Sequence, residues 1–407
     1  MDSREVMEMK PAVLLLPAVI MAQSILPALA LQLEVDGGNH VRKASVVTIQ
    51  SPTNAAPGTS GYLRSEDGKI SLPCQFDSDG KLTFVAPSLE PHQKLKLSLT
   101  VDKDGIAQQA VTAKDSDRIQ LNVRGKNVAA YQTTARTSPR EDLDPKYLRG
   151  GYLHPLVTPS GKIVTDDYPI DHLHHHGIWT AWTKTRFDGR EPDFWNMGQG
   201  KGKVDFVSLG KSWSGPIEAG LTSFHKFTDL TSGSPVDVLD EAWTIRTYDT
   251  GEAYHIIDLD SIQTTTGNKP LELPIYHYGG LGIRGREDWN GKDKATFITS
   301  ENLTDRNKAN SQPARWISMS GAVEGGTAGL AILSHPENFR APQPVRIHPS
   351  EPFISLAPQT KEAMSIKSGE AYHSRYRFII FDGEADAKLI EQLWLDYAHP
   401  VTATWTK

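Results

Sequence analysis

The stretch Leu95-Lys96-Leu97-Ser98-Leu99-Thr100-Val101 puts an apolar side chain at every second position. That is the period of a strand with one buried face. Working outward, similar runs recur at 31–35, 44–49, 81–86 and 119–123, punctuated by Gly, Pro, Asn and Asp. Roughly ninety residues of such strands predict a small antiparallel sandwich. Further runs at 241–248, 254–262, 327–333 and 372–381 continue the pattern, so the predicted fold class is mainly β. One helix is predicted over 384–398, where Leu389, Ile390, Leu393, Trp394 and Tyr397 recur at helical spacing and His399-Pro400 ends the segment. The polar stretch 133–146 reads as a surface connection. Two units follow, a small β-sandwich over 31–126 and a larger antiparallel β domain over 127–407.

A chain of 407 residues is long enough for a sizeable core. Its net charge of -6 lacks the basic excess that nucleic acid or an anionic membrane would need. Lys10, an apolar run over 11–20 and a closing Ala28-Leu29-Ala30 have the layout of a signal peptide cleaved after Ala30. A secreted or periplasmic chain is therefore expected, with no membrane span once residues 1–30 are removed. The single cysteine, Cys74, excludes an intramolecular disulfide, and its apolar-alternating neighbourhood predicts a small buried residue.

The chemistry concentrates in Asp171-His172-Leu173-His174-His175-His176, which holds four of the chain's fourteen histidines. If this segment is extended, His172, His174 and His176 share one face and His175 points to the other. Such imidazoles would serve as general acids and bases, or hold a divalent transition metal, for which His172 and His174 are the expected ligands. Asp193-Phe194-Trp195 combines a carboxylate with aromatic faces, the materials of sugar sites. In Tyr278-Gly279-Gly280-Leu281-Gly282-Ile283-Arg284 the glycines permit close backbone approach and Arg284 is expected to clamp an anion or hydroxyl. His335-Pro336-Glu337-Asn338-Phe339-Arg340 follows an apolar strand, where loops collect functional groups.

Taken together and in this order, these four segments resemble the PmoA-like family over about residues 145–400. Two positions depart from that family's pattern, Leu173 for a usual proline and His176 for a usual arginine. The copper, membrane-embedded methane oxygenase that the family's label implies does not suit a chain with no spanning helix after its signal. The stretch from Ser368 to Phe381 is similar to the closing strand of galactose-mutarotase-like proteins, which implies a supersandwich larger domain and a sugar ligand.

The expectation is an exported protein acting on a carbohydrate or other small molecule by hydrolysis, elimination or epimerisation. His172, His174, His175, Asp193 and His335 are its candidate catalytic residues, with Trp195, Tyr278, Arg284, Asn338 and Arg340 binding substrate. Two rivals stay open, a non-catalytic sugar-binding protein and a redox metalloprotein.

Overall fold

In the computed structural model, which describes residues 31–53, 55–56, 58–102, 111–114, 118–133 and 143–406, the alternating stretch lies in the strand Lys94–Asp102. Leu95, Leu97 and Leu99 are buried, as the alternation requires. This strand belongs to a seven-stranded antiparallel sheet in the order Ser45–Gln50, Lys81–Ala86, Ser71–Phe76, Ser60–Arg64, Lys94–Asp102, Gln32–Asp36, Thr402–Thr406. The sheet curls over Leu33, Leu63, Phe76, Phe84 and Leu97, and Trp405 Nε1 donates to Gln50 O at 2.8 Å to join its edge strands. Cys74 is buried in this core, which pushes its thiol up to about 12.

Two eight-stranded antiparallel sheets follow, with a small two-stranded one that pairs Leu271–Leu273 with Met364–Ile366. The first runs Val345–Ile347, Phe353–Leu356, Gly280–Arg284, Ile178–Ala181, Tyr152–Leu156, Lys126–Gln132, Arg118–Val123, Val111–Lys114. The second has longer strands and runs Gly202–Trp213, Glu218–Asp229, Val236–Tyr248, Tyr254–Thr265, Tyr372–Asp382, Gly326–Ser334, Trp316–Val323, Ala295–Thr299. The fold is mainly β and of β-sandwich type. The boundary expected after residue 126 falls inside the hairpin that pairs Arg118–Val123 with Lys126–Gln132, and Thr402–Thr406 returns to the first sheet. Alternation marks a strand but not the sheet it joins. The expected signal over 1–30 lies outside the described residues, as does most of the polar connection, 134–142.

Period two sets what each face of the short-stranded sheet meets. Ile178, Leu281, Ile283, Ile354 and Leu356 point inward to a core shared with Trp243, Ile245, Leu330 and Phe378 of the long-stranded sheet. Each such burial stabilises by about 1.5–3 kcal/mol. Trp179, Ala181 and Phe353 point outward and gather with Trp182, Phe194 and Trp195 into a second, aromatic cluster. Gly282 makes that cluster possible, because a Cβ there would lie 2.6 Å from Trp195 and 2.7 Å from Trp179.

The C-terminal helix is Ala387–Ala398, capped by Asp386, whose carboxylate accepts from Lys388 N and Leu389 N. Ile390, Leu393 and Trp394 pack on Leu333, Ile379 and Phe381, on the long-stranded sheet's other face. A second helix, Arg306–Ala309, is a single turn. Among the described residues no helix is long and apolar enough to cross a membrane.

Candidate functional site

The histidine segment is not extended. His172 N donates to Pro169 O at 3.1 Å, His175 N to His172 O at 2.8 Å and Tyr168 N to His175 O at 3.1 Å. Two tight turns take the place of an extended segment, so the condition for His172, His174 and His176 to share one face is not met. Tyr168 enters these turns at φ 53, in the left-handed region. Three-residue spacing in the turn stacks His172 on His175, with ring centroids 4.6 Å apart and planes 15° apart. His174 meets His175 edge-on at 4.7 Å. His176 turns into the protein, where its Nδ1 lies 2.7 Å from Asp167 Oδ1 and its ring stacks on Tyr152 at 4.3 Å.

His172, His174 and His175 line a hollow of about 220 Å³ together with Trp195, Asn196, Tyr278, Arg346, His348 and Phe353. It opens over the outer face of the short-stranded sheet. Asn196 and Tyr278 also line a second hollow of about 280 Å³, whose wall includes Thr183, Lys184, Glu191, Asp193, Lys201 and Tyr276. The shared residues set the two hollows side by side, and together they are called the cleft. Its aromatic floor is Phe353, stacked on His175 at 4.7 Å, and Trp195, 5.3 Å from Tyr278. Trp195 is buried and its Nε1 has no hydrogen-bond partner. Burial holds His174 down to about 4, helped by its neighbours His172 and His176. Burial also keeps the Tyr278 phenol protonated, raised to about 12.

Asp193 lies on the cleft wall, but its carboxylate is already engaged. It accepts from Trp195 N at 3.0 Å, Asn196 N at 2.9 Å, Asn196 Nδ2 at 2.8 Å and Thr183 Oγ1 at 3.1 Å. Its geometry makes it a support for Asn196, which in turn reaches the Tyr278 hydroxyl at 3.2 Å.

Arg284 sits behind the cleft rather than in it. Its fully buried guanidinium donates to both oxygens of Asp171 at 2.8 Å, to Glu351 Oε2 at 2.8 Å and to Asn290 Oδ1 at 3.0 Å. The expected anion clamp therefore grips the protein's own carboxylates. Those carboxylates lie beside His172, whose Nδ1 is 3.2 Å from Glu351 Oε2 and 3.7 Å from Asp171 Oδ2. The side chains converging with His172 are His175 and Glu351, not the expected His174.

His335, Asn338 and Arg340 are not part of the cleft lining. His335 packs edge-on against Tyr397 at 5.1 Å. Asn338 is buried and bonds Ser334 Oγ at 3.1 Å and the backbone of Arg375 at 2.8 and 2.7 Å. Arg340 straps the loop after Pro358 through three carbonyls, those of Pro358, Glu362 and Ala363, at 3.0, 2.6 and 3.0 Å. Sequence reasoning chose His335-Pro336-Glu337, whereas the comparable His348-Pro349-Ser350-Glu351 is the one at the cleft. Only strand order separates them, because the latter fills the turn between Val345–Ile347 and Phe353–Leu356 beside the histidines.

With the geometry in place, a sequence family described as a family of unknown function, DUF6807, matches residues 118–395. The chain belongs to this family. The match takes in the short-stranded sheet from Arg118 onward, the long-stranded sheet and the cleft, and leaves residues 31–102 outside. It corrects the resemblance to the PmoA-like family, for short His-rich and Gly-rich segments carry too few residues to separate families. No curated protein matches the DUF6807 chain. Among solved structures, the crystal structure of heparan sulfate lyase HepC from Pedobacter heparinus is similar at a TM-score of 0.34 and 12% identity, covering 70% of this chain and 38% of that one. This chain thus spans well under half the length of that lyase, and a likeness of that size bears on neither reaction nor substrate.

Proposed function

We propose that the chain is an enzyme that moves a proton on an acidic carbohydrate bound in the histidine cleft. The observation that carries this reading is the lining of the two adjoining hollows. The partly exposed rings of Tyr276 and Tyr278 suit the C–H faces of a sugar, while Asn196 and the Tyr278 hydroxyl offer donors and acceptors to its hydroxyls. Three cations, Arg346, Lys184 and Lys201, face two carboxylates, Glu191 and Asp193, in a chain whose net charge is -6. That local excess favours an anionic group on the ligand.

Hydrolysis of a glycoside ordinarily calls on two free carboxyl groups across the bond. Here Asp193 spends its oxygens on Asn196, Trp195 and Thr183, and Glu351 is held by Arg284. Glu191 alone falls short of that pair, and an imidazole and a phenol remain beside it, which favours elimination or epimerisation beside a carboxylate. In elimination His174 takes the proton from the carbon next to the carboxylate and that electron pair becomes a C=C bond. The leaving oxygen departs with a proton from Tyr278, and Arg346 meets the carboxylate.

A panel of neutral and acidic oligosaccharides incubated with the purified full chain tests this. Elimination gives new ultraviolet absorbance from the conjugated double bond, epimerisation incorporates solvent deuterium, and hydrolysis gives reducing ends with neither. Binding of an acidic glycan without any turnover would leave the chain a sugar-binding protein and overturn the enzymatic reading.

A further inference from the structure

We infer that His172, His175 and Glu351 form a site for one divalent metal ion of the zinc type at the head of the cleft. The inference rests on the reading of this cleft as the working site, and its test reads metal rather than sugar, so the two fail separately. One candidate ligand atom from each of the three residues lies within 4.8 Å of the others. Zinc bonds of about 2.1 Å place tetrahedral neighbours roughly 3.4 Å apart, so the stacked His172 and His175 rings must rotate to bring their in-plane nitrogens to that spacing.

His175 supplies the second, independent observation. It is only 4% exposed, yet its Nδ1 has no hydrogen-bond partner. A buried polar nitrogen left so costs about 1–3 kcal/mol, and a ligand removes that cost. The His172 Nδ1 approach to Glu351 Oε2, at 3.2 Å, is not aligned as a hydrogen bond. The two groups therefore do not satisfy each other.

The surroundings hold these groups in place. The turn closed by His175 N on His172 O, 2.8 Å, keeps both rings on one side. Glu351 N donates to His348 Nδ1 at 3.0 Å, and Arg284 grips Glu351 from behind at 2.8 Å. Outer partners of this kind orient metal ligands and tune their affinity. Two imidazoles and one carboxylate suit Zn2+ and related borderline ions, not Ca2+ or Mg2+, which prefer oxygen ligands throughout. Three protein ligands leave a fourth position open toward the cleft.

The test is isothermal titration calorimetry of Zn2+ into the metal-stripped full chain, with Mg2+ as the hard-ion control. One saturable Zn2+ site per chain is expected, weakened more than about 100-fold by His175→Ala and by Glu351→Gln, since even outer-partner loss costs about 10–100-fold. His335→Ala should leave it unchanged. Because His175 is buried, circular dichroism checks that variant, and Co2+ absorption in His172→Ala gives a second reading on a less buried ligand. Tetrahedral Co2+ bands in the wild type that vanish in His172→Ala support the site. Absence of a saturable Zn2+ site, or one unaffected in Glu351→Gln, or Mg2+ bound as tightly, overturns it.

Discussion

Two histidine–carboxylate groups in this molecule use the same residue types to opposite ends. Between the sheets, Glu241 accepts from Thr180 Oγ1 at 2.8 and 2.7 Å, Ser261 Oγ at 2.7 Å, Gln263 Nε2 at 2.7 Å and His225 Nδ1 at 2.9 Å. The other nitrogen of His225 meets Tyr131 OH at 2.7 Å. Burial alone would raise the Glu241 carboxyl, yet the hydrogen bonds, led by that of His225, outweigh it and hold the group down to about 2. At the cleft, by contrast, the Nδ1 atoms of His172 and His175 have no hydrogen bond and Glu351 faces the first of them out of line. A fully satisfied network pins a fold, while unsatisfied atoms beside a hollow await a ligand.

The largest expected effect breaks the interior group. Glu241→Ala should cost about 3–5 kcal/mol in chemical denaturation, because it strands His225 and its partners, while activity per folded molecule changes little. The same network sets an acid limb. Since the folded carboxyl of Glu241 titrates near 2 instead of its ordinary 4.5, its contribution is present above pH 4.5 and is lost as pH falls toward 2. Denaturation curves across that window should be flatter in Glu241→Gln than in the wild type.

A smaller effect is expected at the cleft floor. Gly282→Ala brings a methyl to 2.6 Å from Trp195, and overpacking of this kind costs about 1–3 kcal/mol. Its melting temperature should fall and its glycan affinity should fall with it. Tyr278→Phe removes one hydroxyl from Asn196 and the ligand, worth about 0.5–1.5 kcal/mol in glycan binding, with a greater loss in turnover if the phenol delivers the proton. Least of all, Arg340→Ala should leave glycan binding unchanged. A large loss there would extend the cleft beyond its present walls.

Most of the fold was legible because alternation is a local property. The run at 95–101 and those at 254–262 and 372–381 lie within observed strands, and the helical spacing of Leu389 to Tyr397 lies within the observed helix. The turns of the histidine segment were not legible because nothing in Asp171 to Gly177 announces them and their hydrogen bonds are all backbone. Glu351 and His348 were missed for a different reason. Their place beside the histidines follows from Phe353–Leu356 pairing with Gly280–Arg284, a partnership seventy residues apart in sequence that no local pattern encodes. Arg284 was expected to clamp a ligand, and only packing reveals that it faces Asp171 and Glu351 rather than solvent.

The central claim is that the cleft cluster works and the interior network holds. The most direct test is the initial rate of His174→Ala, per folded molecule, on the glycan that the panel identifies. The account predicts a fall of about 100- to 10,000-fold, the usual contribution of a positioned base, with a melting temperature equal to that of the wild type. A wild-type rate in that variant would show that the cluster is not the catalytic centre and that the unsatisfied imidazoles were misread.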